Sequence, residues 1–248
     1  MVFLYNSGIK LLYAIAWLGA LLGKRKAREW IRGQRSVFSE LQELRPAEGK
    51  SVWFHFASLG EFEQGRPVLE RIKAKEPERP IVVSFFSPSG YSVRKNYPLA
   101  GKVVYLPLDT ESNARRFIGH IDPAYAVFTK YEYWHHFYRE LKRRNIPLFV
   151  ISAVFRHDQI FFKWYGKFFR KILACVTCFF VQNQASSDLL AGIGFSNSLL
   201  SGDTRYDRVI ENAQSPQDFP GIARFTVGAP CLIAGSTWPG EENLLAGY

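Results

Sequence analysis

Short apolar segments alternate with helical stretches through the middle of the chain, and this alternation constrains the fold more than any other feature. The apolar segments are residues 51–57, 81–86, 102–108, 124–129, 147–155 and 178–183, and the helical stretches include residues 61–75, 111–120 and 131–145. Near-continuous apolar strands separated by helices predict a parallel sheet that is covered on both faces. Right-handed crossovers make this an α/β, Rossmann-like domain, in which ligands bind at the carboxyl ends of the strands.

Composition narrows the classes of function. The 248 residues are 47% hydrophobic and 22% charged, which excludes a disordered tail or a linker. The net charge of +10 favours an anionic partner, either nucleic acid, a phosphosugar or a membrane surface. The sequence contains neither GxGxxG nor GxxxxGK[ST], the motifs that usually indicate binding of a nicotinamide cofactor or of a P-loop nucleotide.

The cysteines and histidines favour neither disulfides nor a metal site. Three cysteines in a chain of this length indicate a reducing compartment. Cys175 and Cys178 form a single CxxC in a segment typical of a strand edge, so a zinc or redox site there is the minor alternative. His135 and His136 are adjacent and face different sides of a helix, unlike an i, i+4 metal pair. We therefore expect no metal and no cofactor.

The amino terminus is predicted to be a membrane anchor. Residues 2–22 are apolar except for Asn6, Ser7 and Lys10, and as a helix they would extend about 31 Å, close to the hydrocarbon thickness of a bilayer. Basic residues dominate positions 24–35, which places the domain that follows in the cytoplasm. We expect an anchor over residues 1–23 and a basic collar over 24–50. The alternatives are a helix that lies on the membrane surface and an amphipathic helix packed on the domain.

The end of the chain resembles the start of a second domain. Residues 214–230 are rich in Pro, Gly and polar side chains, which predicts a linker after a first domain over residues 51–213. Residues 231–237 predict a new strand, followed by a Trp-Pro-Gly turn and the beginning of a helix. We expect residues 231–248 to be the incomplete first step of a second α/β domain, which makes the chain a fragment.

Glu61 is the main candidate for catalysis. It follows the first apolar segment, after Ser58 and Gly60, at the amino terminus of a helix on the ligand edge of the sheet. The positive end of the helix dipole favours an ionised carboxylate, so we expect Glu61 to be anionic and able to accept a proton from a substrate hydroxyl. The alternative is a glutamate that only stabilises the helix end.

Two further loops follow strands at the same edge. Ser87, Ser89 and Gly90 suit a turn that holds a phosphate or carboxylate against exposed amides, or an ordinary turn with a helix cap. Glu132 follows the fourth apolar segment and is suited to bind a sugar hydroxyl or to cap a helix.

Residues 155–171 (FRHDQIFFKWYGKFFRK) interleave aromatic and basic side chains. Three interpretations stay open: a surface for a phosphorylated lipid, the core face of an amphipathic helix that buries Phe162, Tyr165 and Phe169, and a site for single-stranded nucleic acid. The first two are favoured, so we expect no nucleic acid partner.

Taken together, these motifs make the chain resemble the lipid A Kdo transferases, the 3-deoxy-D-manno-octulosonic acid (Kdo) transferase family. The family pattern H-x-x-S-x-G-E is matched by residues 55–61, and Y-L-P-x-D by residues 105–109. T-P-T-G is similar to residues 87–90, E-T-E-x-W to 130–134 with Lys130 in place of the first acid, and T-G-x-x-K-F-D to 201–207. The A-R-x-S pattern is altered at residues 153–156. The most specific match is G-S-T-x-x-G-E-E at residues 235–242.

The resemblance implies a GT-B-like fold of two Rossmann-like domains with a membrane-anchored amino terminus. It implies an inverting glycosyltransferase at the cytoplasmic face of the inner membrane, without a metal. The enzyme would move Kdo from CMP-Kdo to the 6′-hydroxyl of a tetraacyl, bisphosphorylated lipid A precursor. Its general base falls on Glu61. Acceptor or donor binding falls on Ser58, Gly60, Ser87, Ser89, Gly90, Glu132, Gly202, Arg205, Ser236, Thr237, Glu241 and Glu242.

Two other classes of function remain. One is a different membrane-associated GT-B enzyme that uses a UDP-sugar. The other is a non-catalytic, membrane-tethered domain that binds anionic lipid through its basic aromatic surface. The expected partners are therefore the lipid A precursor, CMP-Kdo and an anionic membrane surface.

Overall fold

The computed structural model describes residues 1–42, 50–214, 219–228 and 230–247. By their contacts the residues divide into two compact units, Met1–Val209 and Ile210–Tyr248. The domain boundaries given above stay predictions, and the parts of the collar and linker at residues 43–49, 215–218 and 229 lie outside the described residues.

The first unit is built on a seven-stranded sheet in which every neighbouring pair of strands is parallel. The strand order β3-β2-β1-β4-β5-β6-β7 reverses direction between β1 and β4. The strands are β1 Ser51–Phe56, β2 Ile81–Phe85, β3 Lys102–Tyr105, β4 Pro123–Thr129, β5 Leu148–Ala153, β6 Cys178–Val181 and β7 Ser198–Leu200.

Helices connect the strands and cover both faces of the sheet. They are α1 Val2–Leu21, α2 Arg25–Gln42, α3 Leu59–Lys75, α4 Pro88–Arg94, α5 Glu111–Ile121, α6 His135–Arg143, α7 Lys167–Leu173, α8 Gln184–Gly192, α9 Arg205–Gln214, α10 Pro220–Phe225 and α11 Pro239–Ala246, with a short 3₁₀ helix at Ile160–Phe162.

The predicted parallel α/β sheet is confirmed, and its two cores follow from the alternation of side chains along each strand. On β1, Trp53 packs into one core, whereas Val52, Phe54 and Phe56 pack into the other. The residues of β1 are buried on both sides, so the strand is apolar with little alternation.

β7 and α6 differ from the sequence predictions. β7 has only three residues, and Leu199 and Leu200 are exposed, so it carries too little apolar pattern to be predicted. The helix predicted over residues 131–145 begins instead at His135. The preceding residues form a turn because Lys130, with a φ of 57°, leaves the strand in the left-handed conformation.

The aromatic segment 155–171 is not one amphipathic helix. Phe155, Phe161 and Phe168 are buried, and Phe162 and Phe169 pack half-buried against the core as the amphipathic interpretation predicted. Tyr165 is 52% exposed, so that interpretation was wrong at Tyr165. The chain changes direction at Gly166, where a Cβ would lie 2.0 Å from the Ile160 carbonyl oxygen. This close backbone approach divides the segment into the 3₁₀ helix and α7.

Helix α1 packs along the domain by one of its faces. Tyr5, Ile9, Tyr13, Ala16 and Ala20, spaced three or four residues apart, form that face, and they are buried or half-buried. The opposite side leaves large apolar side chains exposed, including Phe3, Leu4, Leu11, Leu12, Ile15, Trp17, Leu18 and Leu22.

By length and composition, α1 is the one helix of the described residues that is long and apolar enough to cross a membrane. Its packed face agrees with a helix that lies on the domain, and its exposed apolar face agrees with a helix at a membrane surface. The anchor over residues 1–23 stays a prediction.

Asp109 links α1 to α6. Its carboxylate is buried, accepts a hydrogen bond of 2.5 Å from the Tyr5 hydroxyl, and accepts two more of 3.0 Å from the backbone amides of His136 and Phe137. These amides are among the unpaired donors at the start of α6, so Asp109 caps α6 and holds α1 against it.

In the second unit, the predicted strand at residues 231–237 is absent from the part of the chain that the structure describes. Residues 231–237 have no regular secondary structure, and Leu232 and Ile233 are exposed. A strand needs a hydrogen-bonded neighbour to satisfy its backbone groups, which explains why the apolar pattern alone does not form one here.

We predict that Tyr5→Phe destabilises the first unit by about 1.5–3 kcal/mol, because the buried carboxylate of Asp109 loses a charge-assisted hydrogen bond. Tyr13→Phe is the matched control, since the Tyr13 hydroxyl has no hydrogen-bond partner among the described residues. Urea unfolding in mild detergent measures both variants. Equal losses of stability would show that the hydrogen bond to Asp109 has no special role.

Candidate active site

The candidate site lies where the strand order reverses. β1 and β4 are adjacent and parallel, so their carboxyl ends meet at one edge of the sheet. The loop after β1 carries Ser58, Gly60 and Glu61, and the loop after β4 carries Lys130 and Glu132. The connections leave these two strands toward opposite sides of the sheet, which opens the crevice where doubly wound sheets bind ligands.

Glu61 occupies the third position of α3, after the N-cap residue Ser58. Its carboxylate turns back to the end of β1, where Oε2 accepts a hydrogen bond of 2.6 Å from the Ala57 amide. Oε1 has no hydrogen-bond partner among the described residues and is open to solvent. One oxygen therefore fixes the carboxylate and the other is available to a ligand.

The protonation of Glu61 differs from the sequence prediction. Burial, together with the nearby charge of Glu132, raises the pKa of Glu61 from 4.5 to about 7. The Ala57 amide and the charge of Lys130 act in the opposite direction and offset only part of this. The prediction of an anionic Glu61 considered the helix dipole alone. Desolvation and a like charge outweigh the dipole, so only about half of the carboxyl is ionised at pH 7.

Glu132 is held by two aromatic nitrogen donors. Its Oε2 accepts a hydrogen bond of 2.9 Å from Trp134 Nε1 and lies 3.3 Å from His55 Nε2. His55 is completely buried in β1, and its other ring nitrogen, Nδ1, lies 2.9 Å from the Ser84 hydroxyl of β2. Glu132 is thus positioned through the sheet.

The hydrogen-bond partners show which atoms donate and which accept in the series of hydrogen bonds from Glu132 to Ser84. A carboxylate only accepts hydrogen bonds, so the ring nitrogen that faces Glu132, His55 Nε2, is the donor. The Ser84 hydroxyl lies 2.9 Å from His55 Nδ1 and 3.4 Å from the Phe54 carbonyl oxygen. Trp53 Nε1 donates to the same hydroxyl oxygen at 2.8 Å. Every member is satisfied in this arrangement, which keeps the Glu132 carboxylate close enough to Glu61 to raise its pKa.

Ser87 and Ser89 follow β2 at the same edge. Ser87 is the N-cap residue of α4, makes no side-chain cap, and its hydroxyl lies 2.7 Å from that of Ser89 on the exposed surface. Gly90 has a packing role instead, because a Cβ there would lie 2.2 Å from the Phe85 ring. The two hydroxyls are accessible to a ligand, whereas Gly90 lets α4 approach β2.

The loop after β7 reaches α3. Asp203 Oδ1 accepts a hydrogen bond of 3.3 Å from Gln64 Nε2, and Asp203 Oδ2 pairs with the Arg205 guanidinium at 2.8 Å. Gly202 has a φ of 76°, which only glycine adopts without strain, so its role is to turn the chain. Arg205 itself is exposed beyond this pair.

Gly60 has space around it. A Cβ there would meet only the Ser58 hydroxyl, at 3.9 Å, so packing within the protein does not require a glycine. Its exposed position beside Glu61 lets a ligand approach the backbone of the first turn of α3.

Four of the residues selected from the sequence belong to the second unit. Glu241 Oε2 accepts from the Trp238 amide at 2.7 Å, and the Thr237 hydroxyl donates to Glu242 Oε1 at 3.0 Å. These contacts cap the start of α11. Ser236 has a φ of 61° and leads into this cap.

Sequence reasoning missed several polar groups at the ligand edge. Gln64 and Thr129 are almost fully buried, yet Gln64 Oε1 and Thr129 Oγ1 have no hydrogen-bond partner among the residues that the structure describes. His55 was identified only as a motif letter, although it is the partner of Glu132. The sequence did contain a signal for such groups, because a polar side chain within an apolar strand is expected to be buried. A buried polar group normally has a hydrogen-bond partner, so a partner could have been sought.

Within the described residues, no group of three or more His, Cys, Asp or Glu side chains could hold a metal ion. Cys175 and Cys178 are both free.

Comparison with known proteins identifies the family. Residues 30–208, well over half of the 248, match the family described as 3-deoxy-D-manno-octulosonic-acid transferase (kdotransferase). The chain belongs to this family. Membership covers both loops of the candidate site and confirms the resemblance drawn from the motifs.

Individual Kdo transferases are similar over most of the chain. The 3-deoxy-D-manno-octulosonic acid transferase of Chlamydia trachomatis serovar A is 28% identical over 80% of this chain and 48% of its own length. That of Haemophilus influenzae is 26% identical over 93% of this chain and 55% of its own length. The chain thus spans about half the length of the curated relatives it matches.

Solved structures support the GT-B-like fold of this Kdo transferase chain. A UDP-N-acetylglucosamine 2-epimerase matches with a TM-score of 0.53 at 13% identity, over 71% of this chain and 52% of the other. The UDP-GlcNAc 2-epimerase of Neisseria meningitidis matches with a TM-score of 0.52 at 12% identity, over 71% and 52%. At this identity the likeness concerns the fold alone.

We predict that Glu61→Gln stabilises the protein at alkaline pH. The folded-state pKa of Glu61, about 7, exceeds 4.5, so the ionised carboxylate costs stability that is absent below pH 4.5 and complete above pH 7. Glutamine keeps the acceptor for the Ala57 amide without the charge. Thermal unfolding between pH 5 and 8 should show a gain that grows with pH to about 1 kcal/mol or more.

Glu111→Gln is the matched control for this experiment, because the Glu111 side chain is 72% exposed in the first turn of α5. It should show no gain that grows in this pH range. A pH-independent effect of Glu61→Gln would contradict the raised pKa.

Proposed function

We propose that this chain is the acceptor-binding part of an inverting Kdo transferase that moves Kdo from CMP-Kdo to the 6′-hydroxyl of a tetraacyl, bisphosphorylated lipid A precursor. The observation that carries the proposal is Glu61, a fixed carboxylate with one free oxygen and a pKa of about 7 at the strand-order reversal. Family membership supplies the class of reaction.

Glu61 serves as the general base in this proposal. A base with a pKa near the working pH combines a substantial ionised fraction with enough basicity to take a proton. As the acceptor hydroxyl oxygen attacks the anomeric carbon of Kdo, its proton moves to Glu61 Oε1. The bond from that carbon to the CMP phosphate oxygen breaks, and CMP leaves with the electron pair.

Other groups in the two loops support the base. Lys130 contributes a positive charge that partly offsets the charge of Glu132 at Glu61. The exposed hydroxyls of Ser87 and Ser89, together with the backbone beside Gly60, are suited to hold a hydroxyl or phosphate of the substrates. We assign donor contacts to Ser236, Thr237, Glu241 and Glu242 from the motif match alone.

The proposed location is the cytoplasmic face of the inner membrane. Helix α1 packs on the domain by one face and exposes an apolar face along its length, which is the arrangement of a helix that lies in the membrane interface. The basic residues at 24–35 follow it directly and are attracted to anionic lipid. The acceptor would then be reached without leaving the bilayer completely.

The test is a transfer assay on the complete polypeptide that carries this chain. The protein is incubated with CMP-Kdo and the tetraacyl lipid A precursor, and the lipid is analysed by mass spectrometry. We expect a mass increase of one or more Kdo units. An increase only with a UDP-sugar would identify a different glycosyltransferase, and binding to the lipid without any transfer would favour a membrane-tethered binding domain.

Glu61→Gln is the critical variant in this assay. Loss of a general base lowers turnover by about 10²–10⁴-fold, and the variant should still fold and bind the lipid. Glu111→Gln is the control and should retain normal turnover, because Glu111 is exposed at the start of α5. Near-normal turnover of Glu61→Gln would reject Glu61 as the base.

We further predict that Glu132→Gln shifts the acidic limb of the pH–rate profile to lower pH. The variant removes the like charge that helps to raise the pKa of Glu61, while its side-chain oxygen still accepts from Trp134 and His55. Turnover measured from pH 5 to 9 gives the position of the limb. An unchanged limb would show that Glu132 does not influence the ionisation of Glu61.

A further inference from the structure

A pocket lies outside the candidate active site, between α6 and α7. It has a volume of about 590 Å³. His135, Arg139 and Lys142 line it at i, i+4 and i+7 on one face of α6, and Phe168 and Lys171 line it from α7. Val2, the first residue of α1, completes the wall.

His135 is a buried polar side chain without a partner. It is only 3% exposed, and both ring nitrogens lack hydrogen-bond partners within the described residues. Burial, with the charges of His136 and Arg139, lowers the pKa of His135 to about 4, so the ring is neutral at physiological pH. A neutral imidazole presents one donor and one acceptor, and buried groups of this kind normally have partners.

Two cations of the pocket are available to a ligand. Arg139 and Lys171 have no side-chain partner in the part of the chain that the structure describes. Lys142, in contrast, donates to the Ala174 carbonyl oxygen at 2.6 Å, and Arg143 pairs with Glu140 at 2.7 Å. The nearby acid Glu140 is itself neutralised by Arg143 and Arg144, so the pocket has a net positive charge.

The surroundings favour a lipid over a free anion. Beside Val2, the side chains of Phe3 and Leu4 are 79% and 63% exposed at the start of α1. Trp164, 90% exposed, precedes α7 by three residues. Exposed tryptophan and apolar side chains next to basic groups are typical of a protein surface at the membrane interface.

We propose that the pocket between α6 and α7 binds the phosphate of an anionic lipid headgroup, with Arg139 and Lys171 as its charge partners and His135 as a hydrogen-bond donor. The inference goes beyond the proposed function, because it assigns a lipid site away from Glu61 and requires no sugar donor. The assay that tests it contains no sugar donor, so its failure would be distinct from failure of the transferase assignment.

Cys175 provides a probe inside the pocket, since it is a free, partly exposed thiol that lines the wall. In a Cys178→Ser, Cys231→Ser background, Cys175 is labelled with N-ethylmaleimide, an uncharged reagent. We expect dihexanoyl phosphatidate to slow labelling about tenfold at ten times its Kd, because only the unliganded fraction reacts. Dihexanoyl phosphatidylcholine, which has no net charge, and inorganic phosphate should protect much less.

Charge variants test the assignment of residues. Arg139→Gln with Lys171→Gln should abolish the protection by phosphatidate. Arg71→Gln with Lys75→Gln, the matched control on the exposed surface of α3, should leave it intact. His135→Phe should weaken protection without changing the charge of the pocket, and the far-ultraviolet circular dichroism of each variant verifies folding.

Three results would overturn the proposal. Equal protection by phosphatidate and phosphatidylcholine would assign the pocket to acyl chains alone. Equal protection by phosphatidate and inorganic phosphate would identify a site for a free anion. Protection that survives Arg139→Gln with Lys171→Gln in a folded protein would place the lipid elsewhere.

Discussion

The pairing of β1 with β4 is the constraint on which the site depends. The two strands are central, parallel and buried, and the order of the sheet reverses between them. Their carboxyl ends therefore bring together two loops that are about 70 residues apart in the sequence. Glu61 lies in the first turn of α3 on one side, Glu132 precedes α6 on the other, and His55 of β1 contacts Glu132 from within the core.

The placement of Glu61 near Glu132 lowers the stability of the fold when Glu61 is ionised. Burial and a second carboxylate both disfavour the charge on Glu61, and Ala57 and Lys130 compensate only in part. The satisfied chain from Trp53 through Ser84 and His55 holds Glu132 in place, so the conflict between the carboxylates is not relieved by movement of its side chain. Strained electrostatics of this kind are typical of sites that must hold a proton near neutral pH.

The sequence predicts much of the architecture because the spacing of apolar residues and the positions of Gly, Pro and Ser in turns are local properties. Six of the seven strands and the position of Glu61 at a helix start follow from them. What could not be predicted depends on residues distant in the sequence. The protonation of Glu61 depends on its burial and on the charge of Glu132. The packed face of α1 depends on Asp109, and the split at Gly166 on the carbonyl of Ile160. Such long-range contacts produce no periodic pattern in the sequence.

The most direct test of the account is a titration of the Glu61 carboxyl carbon by ¹³C NMR, assigned by comparison with the Glu61→Gln spectrum. We predict a midpoint at about pH 7, because burial and the charge of Glu132 disfavour the ionised form of Glu61. A midpoint at or below the ordinary 4.5 would contradict it, since Glu61 would then be a helix-capping carboxylate and not a base poised near neutral pH.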